Sequence, residues 1–231
     1  MSVAALNARL QRTLPMGHIE VTTLPDCQGL RLALINADFP DAPLPGEVMR
    51  EVMRAPPYWC LCWGSGLALA RLLLAEPDWV RGRQVCDLGS GSGVAAIAAA
   101  KAGAAAVTAC DIDPDAQLAT TINAELNAVQ VQVSEQLPDH SDLILMADVL
   151  YDQQNYPLLE LARASASQVL VADTRIRELP SADYREITTL PTLTHPNLGE
   201  FDEFRVAHIF STDSTNLTAP NRLPNGDPGS S

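Results

Sequence analysis

Residues 85–93 read Val-Cys-Asp-Leu-Gly-Ser-Gly-Ser-Gly, and an alanine-rich stretch follows. Two apolar residues lead into an acid, glycines stand at every second position, and a helix-forming run begins. That order is a strand, a tight turn and a helix N-terminus. It commits this part of the chain to an α/β unit whose ligand meets the turn. Asp87, Gly89, Gly91 and Gly93 form D-x-G-x-G-x-G, whereas the dinucleotide fingerprint G-x-G-x-x-G needs a small residue where this chain carries Val94. The pattern favours S-adenosylmethionine over a nicotinamide dinucleotide, and a dehydrogenase is the least favoured reading.

Around this unit, strands and helices alternate as in βαβ units on a parallel sheet. Apolar runs place strands at 84–88, 106–110, 129–133, 142–147 and 168–172, with 186–190 and 204–210 as candidate final strands. They are short apolar runs rather than alternating patterns, as expected of strands covered on both faces. The helix after the second strand has Asp113 as N-cap, Pro114 at its first position and Leu118, Ile122 and Leu126 at four-residue spacing. Ser65 is the expected N-cap of an earlier helix that buries Leu67, Leu69, Ala70, Leu72, Leu73 and Leu74 and stops near Pro77.

Residues 1–57 read as an N-terminal extension: a helix with Ala5, Leu6, Leu10 and Leu14 on one face, short strands at Val21 and Leu30–Ile35, and a helix near Glu47–Arg54 among prolines. Arg9 and Arg12 without any acid in the first fifteen residues also resemble a mitochondrial presequence, but the helical face is the preferred reading. Residues 58–210 form the sheet domain. The tail 211–231 is rich in Ser, Thr, Asn, Pro and Gly and is expected to be disordered.

The 231 residues, 47% of them hydrophobic, suffice for one α/β domain with a substantial core. A net charge of −13 argues against nucleic acid as a partner and suits either a basic partner, such as a lysine-bearing protein, or plain solubility. Five irregularly spaced cysteines make no disulfide framework, and Cys60-x-Cys62 has no second pair for a metal. With no apolar run long enough to span a membrane, a cytoplasmic monomer without a metal is expected. The four histidines form no constellation.

Ligands of open parallel sheets lie beyond the carboxyl ends of the strands, where Asp87, Asp111 and Asp148 stand. Asp87 is expected to attract the cofactor's ammonium, directly or through water, and N–H groups near Gly91–Val94 to meet its carboxylate. Asp111, twenty-four residues after Asp87, is placed for ribose hydroxyls, with Ile112 against the adenine face. Glu135 has two equal readings, an acceptor for the adenine amino group or a solvated loop carboxylate. Asp148 and Tyr151 are three residues apart after the fourth strand, where a turn aims both at the transferred methyl; a strand-end cap plus a packing tyrosine is the alternative. Trp59 and Trp63 are candidates for the sulfonium side, against the default of core tryptophans.

Four segments together resemble family 16 of the seven-β-strand methyltransferases: Pro56-Pro57-Tyr58-Trp59-Cys60-Leu61-Cys62-Trp63, the glycine turn, Asp111-Ile112-Asp113-Pro114 and Asp148-Val149-Leu150-Tyr151-Asp152. Within family 16 the likeness is to the lysine methyltransferases of the electron transfer flavoprotein β subunit and their bacterial relatives. The resemblance covers residues 56–175 and implies a Rossmann-like seven-stranded fold. It also implies S-adenosylmethionine bound by Asp87, Gly89, Gly91 and Asp111, a cofactor pocket lined by Trp63, and a target lysine served by Asp148 and Tyr151. Gly64-Ser65-Gly66 departs from the family, where animal enzymes carry a proline-containing turn. The expected activity is Nε-methylation of a protein lysine. A small amine or pyridine as acceptor is the alternative within the same chemistry, and a cofactor-binding protein without catalysis is the rival from another class.

Overall fold

The computed structural model describes residues 2–40, 42–199 and 201–212. The chain begins with α1 (Val3–Thr13), a hairpin of β1 (Ile19–Thr23) and β2 (Arg31–Ile35), and α2 (Gly46–Arg54). A 3-10 turn at Tyr58–Cys60 leads into α3 (Gly64–Ala75), then β3 (Gln84–Leu88), α4 (Val94–Lys101), β4 (Ala106–Cys110) and α5 (Pro114–Leu126). β5 (Gln132–Ser134), β6 (Ser141–Ala147), α6 (Pro157–Ser165), β7 (Ala166–Asp173), β8 (Arg185–Pro191) and β9 (Val206–Ser211) complete it.

The seven strands β3–β9 form one sheet in the order β5-β4-β3-β6-β7-β9-β8. β3 to β7 run parallel, and β9 is inserted antiparallel between β7 and β8. This is the Rossmann-like α/β fold expected. Alternate residues of each strand face opposite layers: Val85, Leu143, Leu145 and Leu170 pack with Leu69, Leu73 and Ala95 of α3 and α4. Cys86, Ile144, Met146 and Val171 pack on the other face with Leu159 and Ala162 of α6. Both faces are dry, which is why the strands read as unbroken apolar runs. All five cysteines are free and buried.

The chain winds from β3 outward to β4 and β5, then returns to lay β6 on the other side of β3. That reversal opens a crevice beyond the carboxyl ends of β3 and β6, where the connections part.

The expected elements are present with bounds shifted by up to three residues: β7 extends two residues further back than 168, β9 starts at Val206 instead of 204 because Asp202–Phe204 form a 3-10 turn, and three further differences have physical reasons. β5 begins at Gln132, three residues after the predicted start, because α5 ends in a longer cap. Ala128 takes φ +53, its N–H bonds the Glu125 carbonyl, and the Val129 N–H reaches back to Ala124. Ser65 does not cap α3; the helix starts at Gly64, and Ser65 lies inside its first turn with its side chain bonded elsewhere. Ser211 belongs to β9 instead of the tail, and the Thr212 N–H still bonds Val169. The expected disorder beyond Thr212 lies outside the described residues.

The described residues ahead of Tyr58 share the core of the sheet domain. Leu6 and Leu10 of α1 and Ile35 of β2 pack with Ala116, Ala119 and Ile122 of α5. The fully buried Asn123 joins the hairpin to the glycine turn: its Oδ1 accepts the Ala33 N–H at 2.7 Å and its Nδ2 donates to Ser92 O at 2.9 Å. Among the described residues no helix is long and apolar enough to cross a membrane.

Candidate active site

A cavity of about 680 Å³ opens at the carboxyl ends of β3, β4, β5 and β6. Its floor is the turn between β3 and α4. Gly89, Gly91 and Gly93 there have φ +77, +52 and +79, conformations costly for residues with a Cβ. A Cβ on Gly89 would stand 2.7 Å from Val149 Cγ2, so the turn lies directly against the segment after β6. A Cβ on Gly91 would meet nothing within 4 Å, and Gly91 lines the cavity with its bare backbone.

Asp87 sits beneath this floor. It is 2% exposed, and its Oδ2 accepts the Ala96 N–H at 3.0 Å, holding the open first turn of α4. The carboxylate of Asp87 is buried behind the cavity lining, and its bond is to the first turn of α4. Gly93 is likewise behind the wall, pressed on Thr120 of α5.

Burial is the main cause that pushes the Asp87 carboxyl up to about 7, with the Ala96 N–H opposing it and Asp111 adding to it. The folded pKa thus lies above the unfolded one, so the folded chain holds a proton that the unfolded chain has released. The stability this adds is complete below pH ~4 and is lost as pH rises through about 7. Asp87→Asn is expected to remove roughly 3 kcal/mol of the wild-type decline in unfolding free energy between pH 4 and 8. Urea unfolding at several pH values checks it; parallel curves for the two chains would refute the assignment.

Asp111, at the end of β4, accepts the Gly91 N–H at Oδ2 and the Asp113 N–H at Oδ1, both at 2.9 Å. Two of about four lone-pair sites remain for the cavity. Asp113 is the cap of α5, as expected, accepting the Asp115 N–H at 2.8 Å, and so leaves Asp111 available. Ile112 is 83% exposed, an apolar side chain open to the cavity that it lines. Glu135 is exposed on the neighbouring β5 edge of the same cavity. An adenosyl group fits this end: acceptors for the ribose, an apolar face for the base, and a backbone floor that a Cβ would fill.

The other end is built by Asp148, Tyr151 and the segment before α3. Asp148 takes φ +52 directly after β6, and both its oxygens are bonded by Ser65, from the N–H at 2.9 Å and the hydroxyl at 2.6 Å. Burial pushes its carboxyl up to about 6, Ser65 opposes this, and Asp173 adds to it. At neutral pH Asp148 is therefore mostly ionised.

Tyr151 is 55% exposed, and its ring lies 5.3 Å from that of Tyr58, which in turn lies 5.9 Å from Trp63 edge-on. The Trp63 indole N–H donates to Tyr58 O at 2.9 Å. Both candidate tryptophans border the cavity: Trp63 is partly exposed there, while Trp59 is almost fully buried and also packs with hydrophobic residues of α1 and α5. Burial chiefly raises the Tyr151 phenol above its ordinary range, which keeps it a neutral donor. Arg175 lines the cavity after β7, its guanidinium 4.8 Å from the centre of the Phe204 ring.

The structure thus brings Trp63, Gly89, Gly91, Asp111, Ile112, Asp148 and Tyr151 to one cavity and leaves Asp87 and Gly93 as its supports. Sequence reading missed Ser65 as the partner of Asp148, Tyr58 as the ring beside Tyr151, and Arg175. Only Tyr58 carried a signal, its place in the aromatic run ahead of α3.

The model of the ribosomal protein L11 methyltransferase family matches residues 71–169. The electron transfer flavoprotein beta subunit lysine methyltransferase of Xenopus laevis is 34% identical over 178 residues, covering 72% of this chain and 71% of that protein. The human protein of the same name is 46% identical over 103 residues, covering 42% of this chain; the chain spans only 39% of that relative. Among solved structures, a Pyrococcus horikoshii protein named as a candidate RNA methyltransferase aligns with a TM-score of 0.51 at 18% identity, covering 63% of this chain and 81% of that one, a likeness of fold.

Proposed function

Since the chain belongs to the family of electron transfer flavoprotein β-subunit lysine methyltransferases, we propose that it is an S-adenosylmethionine-dependent methyltransferase of a protein lysine, with that β subunit as its acceptor. The observation that carries this reading is the two-ended cavity. Asp111, Ile112 and the glycine floor suit an adenosyl group, and Asp148 with Tyr151 and Tyr58 suits an amine. Both the family model and the relatives carry names of enzymes that act on proteins, which favours a protein acceptor over a small amine.

When bound, S-adenosylmethionine supplies a methyl group on a positively charged sulfur, open to attack by a neutral amine. The chain's own task is position and electrostatics. Gly89 and Gly91 form the backbone floor, Asp111 would hold the ribose hydroxyls, Ile112 would cover the base and Trp63 would line the cofactor's pocket. Free lysine keeps its proton up to about pH 10.4, so the acceptor must lose it before transfer. Desolvation in the cavity favours that loss, whereas a bare carboxylate opposes it. Asp148, with both oxygens already bonded, orients the lysine and passes its proton to water, rather than acting as a strong base.

The Tyr151 and Tyr58 rings face the cationic nitrogen before deprotonation and after transfer. Tyr151→Ala is expected to raise the KM for the acceptor protein about tenfold and leave the Kd of S-adenosylmethionine within about twofold. Steady-state kinetics with calorimetric titration checks it, and an equal loss of cofactor affinity would move Tyr151 to the other end.

One chain builds the whole cavity, so a monomer suffices, and neither nucleic acid nor a membrane has a part in the reading. Free thiols suit a reducing, cytoplasmic setting. The deciding experiment is transfer of labelled methyl groups from S-adenosylmethionine to recombinant electron transfer flavoprotein and to a whole-cell extract. Label mapped to a lysine of the β subunit supports the proposal. Label on a small amine or pyridine, and on no protein, replaces it.

A further inference from the structure

Both oxygens of the Asp148 carboxylate are engaged by a single residue eighty-three positions away. Ser65 is fully buried in the first turn of α3, where backbone N–H groups lack helical partners and the helix dipole favours negative charge. Its N–H fixes one oxygen and its hydroxyl the other. Two bonds side by side clamp the plane of the carboxylate; the N–H alone would leave the group free to swing. With two lone-pair sites occupied, about two remain for a group in the cavity.

Resting on the reading that Asp148 serves the acceptor nitrogen, we propose that Ser65 is its positioning residue: the hydroxyl sets the direction of the carboxylate in the cavity wall and favours its charged form. The hydroxyl is separable from the fold. The start of α3 is held independently, because Thr192 Oγ1 donates to Gly64 O at 2.6 Å. Ser65→Ala also retains the backbone bond to Asp148 Oδ2.

The other charged or titratable groups around Asp148 are Asp173 and Arg175 at the end of β7 and the Cys62 thiol ahead of α3. Asp173 raises the Asp148 carboxyl, Arg175 lowers it, and burial keeps Cys62 protonated. None of them changes in Ser65→Ala, so a shift in titration reports the lost hydroxyl.

The test compares the wild-type full chain with Ser65→Ala, using recombinant electron transfer flavoprotein β subunit as acceptor between pH 5.5 and 9. The ratio of the two rates cancels the acceptor's own titration. The variant is expected to be about five- to tenfold slower at pH 5.5–6 and within about twofold at pH 8.5, an acid limb about one pH unit higher. A loss that is uniform across pH, or no loss, overturns the proposal. Carbon-13 titration of the Asp148 carboxyl in both chains gives a second measurement that needs no acceptor. Its midpoint is expected to rise by about one pH unit in Ser65→Ala, and an unchanged midpoint sinks the inference whatever the enzyme methylates. Intact transfer in Asp148→Asn would sink the functional reading instead, so the two failures are separable.

Discussion

Asp148→Asn is expected to lower methyl transfer about a thousandfold while the Kd for S-adenosylmethionine stays within about twofold. Asparagine is the informative replacement. Asp148 occupies a left-handed backbone position, φ +52, which asparagine tolerates nearly as well. The Ser65 N–H and hydroxyl both keep oxygen or amide partners within reach, so α3 stays anchored. What disappears is the charge at the end of the cavity opposite Asp111 and Ile112, and with it the means of drawing in and orienting a lysine amine. Asp148→Ala should be equally inactive and also less stable, because it leaves the buried Ser65 hydroxyl without its acceptor. Single-turnover rates and calorimetric titration separate the two effects. A folded Asp148→Asn chain that no longer binds the cofactor would assign Asp148 to the cofactor instead of the acceptor.

Gly93→Ala is expected to destabilise the fold by about 3 kcal/mol, although Gly93 does not reach the cavity. Two costs add. A Cβ at φ +79 is strained by about 1 kcal/mol. That Cβ would also stand 2.8 Å from Thr120 Cγ2 and Oγ1 and 3.1 Å from Thr120 Cα, contacts with a fully buried residue on a helix held from both sides. Overpacking of this kind costs about 1–3 kcal/mol. In a chain of this length the sum lowers Tm by roughly 6–12 °C.

Gly91→Ala makes the control. Its Cβ meets open space, so it should cost only about 1 kcal/mol of strain and act on cofactor affinity instead, by placing a methyl group on the cavity floor. Thermal unfolding of both variants checks the pair. A stable Gly93→Ala beside an unfolded Gly91→Ala would mean that the turn is built the other way round.

Much of this architecture was legible because its determinants are local. The glycine spacing, the Asp113-Pro114 cap and the apolar strand runs each act within one turn or one strand, so their residue types suffice to state the element and the class of ligand. The late start of β5 was missed for a related reason. A helix end with Ala128 in the left-handed region lacks the glycine that normally announces it, and the two valines beyond it look like strand.

By itself, the sequence determined the βαβ order, the strand ends at which acids stand, and the pairing of Asp111 with a ribose and of Asp148 with an acceptor as expectations. Only the tertiary structure decided which acids see the cavity. Asp87 and Asp111 both stand at the carboxyl ends of strands, one inside β3 and one just after β4, yet Asp87 turns under the floor to hold α4 and Asp111 turns out to hold Gly91. It likewise decided that Ser65 serves Asp148 rather than its own helix, because the return of the chain to lay β6 beside β3 brings these distant residues together. The physical reason is the range of the interactions. Backbone propensity and periodicity act over a few residues, whereas the direction of a buried carboxylate is set by whichever donor the packed sheet brings within 3 Å of it.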